Sequence, residues 1–91
     1  MAESIELSNA VQIGVVEKIG LYTLYANLVG TGSTKPQSVI VDITPQVGSM
    51  NSFTLSQANG YKQGLQNAGG SYTVRLTTTL PATYTVSVYF Q

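Results

Sequence analysis

The sequence predicts an all-β fold, a small antiparallel β-sandwich or barrel of about six to eight strands. Three observations carry that expectation. Residues 39–44, 71–77 and 82–91 alternate apolar and polar side chains with a period of two, which puts one set on each face of a strand. Turn-forming residues break the apolar runs at roughly 8–12-residue intervals. The 91 residues suffice for one hydrophobic core but not for two, so residues 1–91 are expected to form a single domain.

Residues 1–8 are expected to be extended or frayed. Residues 11–19 then read as a strand with Val11, Ile13 and Val15 on its buried side. Val16 falls out of phase with that face, and a bulge near Gly14 is the expected cause. Gly20 separates this strand from the next, residues 21–29, which presents Tyr22, Leu24, Ala26 and Leu28 on one face. The run GTGSTKPQ at 30–37 is a loop. Val39, Val41 and Ile43 form one face of a third strand ended by Pro45, and Ile40 on the other face predicts a strand that is central or covered on both sides. Phe53 and Leu55 mark a short strand at 52–55.

Residues 56–70 contain Asn59-Gly60, Gly64 and Gly69-Gly70 and are expected to be a long loop. A single helical turn within 56–66, capped by Ser56, is compatible with this. A longer helix is opposed by its glycines, at about 1 kcal/mol each relative to Ala. Residues 71–77 and 82–91 read as a closing hairpin, with Pro81 in the turn because it cannot donate to a ladder. The expected core is Ile13, Val15, Leu24, Leu28, Val39, Val41, Ile43, Phe53, Val74, Leu76, Val86, Val88 and Phe90.

Composition narrows the chemistry. There is no Cys and no His, hence no thiolate nucleophile, no disulfide framework and no Ser–His pair. Four acids, Glu3, Glu6, Glu17 and Asp42, are too scattered for a catalytic pair or a metal cage. Asp42 is expected to face outward on a solvated strand face; the alternative is a buried Asp42 paired with Arg75 across the sheet. The expectation is therefore a non-enzyme, with no catalytic, cofactor-binding or metal-binding residues. Charged residues make up 9% of the sequence and the formal net charge is zero, against about 25% charged in an average domain. Lys18, Lys35, Lys62 and Arg75 stand singly, which argues against nucleic acid as a partner. No run approaches the ~20 apolar residues of a spanning helix, and no leader pattern opens the sequence. Synthesis in the cytoplasm without membrane insertion is expected.

Six Tyr and no Trp remain as recognition side chains. Tyr22, Tyr72 and Tyr84 share faces with aliphatic residues and are expected at the core edge. Tyr25 and Tyr89 lie on the opposite faces, and with Phe90 they form the expected self-association surface. The closing strand is expected to offer itself for edge pairing wherever it borders a sheet, because it lacks the Lys or Pro that blunts an edge. Asn59, Tyr61 and Gln63 form an expected ligand loop.

A scarcely charged surface is cheap to desolvate, and zero net charge leaves nothing to hold copies apart. The function expected from the sequence is a non-catalytic, self-associating structural β module, a small virion component such as a capsid, spike or decoration protein. Its partners would be copies of itself or other subunits of an assembly. The alternative is a carbohydrate-binding or adhesin module using Tyr and the Asn/Gln loop.

Overall fold

The structure is a computed structural model that describes residues 2–32 and 34–91. Its strands are β1 (Ser4–Leu7), β2 (Ile13–Gly30), β3 (Ser38–Pro45), β4 (Asn51–Ser56), β5 (Lys62–Leu76) and β6 (Tyr84–Phe90). A 3-10 turn, Gln57–Asn59, links β4 to β5. All the described strands lie in one antiparallel sheet of order β1-β6-β2-β5-β3-β4. The expected all-β class and the short helical turn are both present.

The sheet curls until its two edges meet its own interior strands. Pairing places β1 against β6, with Ser4 opposite Tyr89. Yet the Ala2 carbonyl accepts the Glu17 N–H and the Ser8 N–H donates to the Val11 carbonyl, both at 2.9 Å. The β1 edge therefore comes round to the first half of β2. At the other edge, the Thr54 N–H of β4 donates to Gln63 Oε1 at the start of β5. Two layers result, each containing one half of β2 and one half of β5.

The two halves join at a bend in the β2–β5 ribbon. Register runs unbroken from Ile13 opposite Arg75 to Lys18 opposite Gly70, and resumes at Tyr22 opposite Ala68 and Leu24 opposite Leu65. Gly20 and Gly70 take φ of 130° and 98° there, values that side-chain-bearing residues rarely adopt. Gly69 is glycine for a different reason, since a Cβ at that position would run into the Gly20 carbonyl oxygen.

Several sequence expectations are corrected here. Residues 11–19 and 21–29 are not two strands, because Gly20 lies inside β2 and bends it without ending it. Residues 62–70 are not loop but the first half of β5; Gly64 and Gly69 answer close approaches from neighbours, and Gly70 answers a positive φ. β5 and β6 do not form a hairpin, because β2 lies between them. β6 is accordingly no edge strand: β1 pairs one side and β2 the other, so edge pairing through the closing strand has no open hydrogen bonds to use.

One cluster of buried side chains fills the interior, including Leu7, Val16, Leu24, Ala26, Val41, Ile43, Leu55, Val74, Leu76, Val86 and Val88. Ile13 and Val15 are not in it and face solvent. On β2 Gly14 and Val16 face inward before the bend and Tyr22, Leu24, Ala26 and Leu28 after it, so the apparent phase error of Val16 is the true phase. No bulge occurs at Gly14, where the register is continuous. Gly14 faces inward because a Cβ there would overlap Ile5 Cδ1, so the Ile5 side chain of β1 fills the space that a larger residue would occupy. The β5 neighbours fix the same choice: Gly14 lies opposite Val74 and Val16 opposite Tyr72, both buried. Leu28 and Phe90 pack against the core from half-buried positions. Ile40 lies on a central strand, but its outer face is uncovered.

Candidate functional site

Inverting the faces of β2 turns residues expected in the core into surface. Ile13 and Val15 are 57 and 53% exposed and project from one side of β2, and Val11, just before the strand begins, is 47% exposed. Beyond the half-buried Glu17, at the bend, Ile19 and Leu21 are 88 and 82% exposed. Val47 is also exposed. The Gln46 N–H donates to the Ser71 carbonyl, which brings the 46–50 segment to the same end of the molecule. Single exposed apolar residues are ordinary, whereas a contiguous set marks a contact surface.

Opposite charges flank this stripe. Arg75 lies directly across from Ile13 on β5. On the other flank, the two hydrogen bonds from Ala2 and Ser8 run β1 antiparallel to β2 and set exposed Glu6 level with Ile13. The Glu6 carboxylate accepts the Thr85 hydroxyl at 2.7 Å. Asp42 stands opposite Arg75 in the β3–β5 register, half-buried on the outer face. Among the described residues the ion pair within contact distance is Lys18–Glu3, at 3.1 Å.

Tyr25 and Tyr89 come together on the outer face of the other layer. They are direct cross-strand neighbours, with ring centroids 5.7 Å apart and planes tilted by 34°. The Lys62 ammonium lies 4.4 Å from the Tyr25 ring centroid. Gly64 gives the Tyr25 ring its seat, since a Cβ there would come within 2.7 Å of Tyr25 Cε1. Phe90 is not part of this surface. It lies on the opposite face of β6, with its ring 6.4 Å from Tyr22 and 6.2 Å from Tyr72.

The expected ligand loop is engaged in holding the fold. The Tyr61 hydroxyl donates to the Pro36 carbonyl at 3.0 Å. Gln63 Oε1 accepts the Thr54 N–H, and Asn59 Nδ2 donates to the Thr54 carbonyl at 2.8 Å. Their polar atoms point at backbone instead of converging on a shared space. A separate open concavity of about 500 Å³ is lined by Glu3, Glu17, Lys18, Ile19 and Tyr22. The Lys18 ammonium there is shared between Glu3 and the Tyr22 ring, 4.5 Å from its centroid. No cluster of three or more metal-ligating side chains occurs among the described residues. Among the same residues, no helix is long and apolar enough to cross a membrane.

The stripe on β2 was hidden in the sequence because both phases of residues 11–19 carry aliphatic side chains. Comparison of the sequence and fold with protein-family models, with curated proteins and with solved structures returns no match.

Proposed function

We propose that this protein is a non-catalytic structural module that assembles with copies of itself through the outer face of the first half of β2. The setting we propose is a particle coat, with the protein as a capsid, spike or decoration subunit of a virion. The observation that carries the self-association is the exposed set of Val11, Ile13 and Val15, with Ile19 and Leu21 exposed beyond Glu17 at the bend.

Charge favours a second copy as the occupant. With zero net charge, copies approach without mutual repulsion. Glu6 and Arg75 lie on opposite flanks of Ile13, so a two-fold axis running along β2 brings the Arg75 of one copy over the Glu6 of the other. An isologous interface needs that self-complementarity. The flanking charges set orientation, while the aliphatic stripe supplies the burial energy.

Sedimentation velocity over a concentration series tests this. The native protein should form dimers or larger species as concentration rises, and Ile13→Asp should remain monomeric. Arg75→Glu should weaken association, and adding Glu6→Lys to it should restore it. A native protein that stays monomeric throughout, or an Ile13→Asp variant that associates as before, refutes the proposal.

Carbohydrate binding is the second reading, favoured by the Tyr25–Tyr89 pair seated over Gly64 beside Lys62. Paired aromatic faces next to a polar head group suit a sugar ring. A glycan array on the native protein and on Tyr25→Ala tests it; signal lost in the variant supports this reading, and a blank native array refutes it.

A further inference from the structure

Edge strands invite pairing with foreign strands and are usually blunted by charge, proline or cover. The outer edge of β4 carries neither charge nor proline. Side-chain amides cover it instead. Asn59 Nδ2 donates to the Thr54 carbonyl, Asn59 Oδ1 accepts the Ser56 N–H at 3.0 Å, and Gln63 Oε1 accepts the Thr54 N–H at 3.1 Å. Asn59 thus satisfies one donor and one acceptor of the edge at once.

Of the five asparagines, Asn59 alone is followed by glycine. An Asn-Gly pair can cyclise, because glycine offers no side chain to hinder attack by its own backbone nitrogen. We propose that Asn59 is a modification site whose slow conversion to aspartate or isoaspartate unlatches the β4 edge. The Gly60 nitrogen loses its proton and bonds to Asn59 Cγ. The Cγ–Nδ2 bond of Asn59 breaks and ammonia departs, leaving a succinimide. Water then adds to either imide carbonyl, opening the ring to aspartate or to isoaspartate. The net change is one water taken up and one ammonia released.

The native turn restrains this reaction. Both ends of the Asn59 amide are held by the β4 edge, and the Gly60 N–H donates to the Gln57 carbonyl at 3.2 Å. Attack therefore waits for local opening of the turn. After conversion, a carboxylate oxygen stands where the amide N–H donated, facing the Thr54 carbonyl with no proton to offer. Isoaspartate also lengthens the backbone within the turn. Either product leaves part of the edge unsatisfied.

The test incubates the full-length protein at mildly alkaline pH, in native buffer and in concentrated urea. It follows intact mass and isoaspartate at Asn59 by peptide mapping. Hydrogen exchange is then measured on the converted protein and on Asn59→Asp. Conversion should occur at Asn59 ahead of the other asparagines and run about tenfold or more slower in native buffer than in urea, as protection by a closed turn requires. The Ser56 amide should exchange faster in both the converted protein and Asn59→Asp. Gly60→Ala strains the folded turn, where Gly60 has φ of 67°, so it is compared in urea, where the turn is open, and there it should convert several-fold more slowly. Equal rates in buffer and urea, or unchanged Ser56 exchange after conversion, would overturn the proposal.

Discussion

Adjacent valines on β2 separate the inward from the outward face. Val16 is fully buried, whereas Val15 is 53% exposed. Truncation to alanine removes two carbons from each. At Val16 the lost transfer energy is about 1.6 kcal/mol, at roughly 0.8 kcal/mol per carbon. The void left against Tyr72 and its neighbours raises the cost to about 2–3 kcal/mol. At Val15 about half of the side chain already lies in water and no cavity forms, so the cost is below about 1 kcal/mol. The expected gap of ~1.5 kcal/mol corresponds to roughly 6–12 °C in Tm for a domain of this size. Urea denaturation of both variants at low protein concentration measures it, with unchanged m-values confirming that only stability moved. Low concentration matters because association through Val15 would add a concentration-dependent term to its apparent stability. Equal costs, or a larger cost at Val15, would mean that β2 presents its other face to the core.

Asn9 clasps the backbone of Leu80, donating from Nδ2 to the carbonyl at 2.7 Å and accepting the N–H on Oδ1 at 2.8 Å. Asn9→Ala should cost about 1–3 kcal/mol, two hydrogen bonds' worth, in chemical denaturation. Gly64→Val should displace the Tyr25 ring and cost on the order of 1–3 kcal/mol through overpacking, with the Tyr25 and Tyr89 ring protons shifting in NMR spectra. Glu3→Gln breaks the Lys18 ion pair, whose two side chains are 64 and 29% exposed. It should change stability by less than about 0.5 kcal/mol, and added salt should erase even that.

Strands whose two faces differ chemically were legible in the sequence. Val39, Val41 and Ile43 alternate with Ile40, Asp42 and Thr44, and Tyr84, Val86 and Val88 alternate with Thr85 and Ser87. In both cases the face richer in large apolar side chains is the buried one. β2 was ambiguous because Ile13 and Val15 outweigh Gly14 and Val16 in apolar content. What fixes its phase is Ile5 on β1 together with the buried Val74 and Tyr72 of β5, all on other strands. The first half of β5 was hidden by glycines that mimic a loop signal. Gly64 serves the Tyr25 ring and Gly69 serves the Gly20 carbonyl, and both neighbours are remote in sequence. The candidate surfaces depended on the same non-local facts. Tyr25 and Tyr89 were singled out by strand parity, but their contact follows from register. Phe90 is parted from them because successive residues of a strand point to opposite faces.

The sharing of β2 and β5 between both layers bears on how the protein folds. Neither layer holds a complete set of strands without the other's halves, so no smaller unit can form and persist by itself. β2 must find residues 62–75 along nearly its whole length and residues 84–90 with its second half, and both partners are distant in sequence. Closing such loops costs entropy before any contact offsets it. Folding should therefore be slow for so short a sequence, in the millisecond-to-second range typical of non-local β topologies. Stopped-flow traces should show a single transition in which both layers appear together.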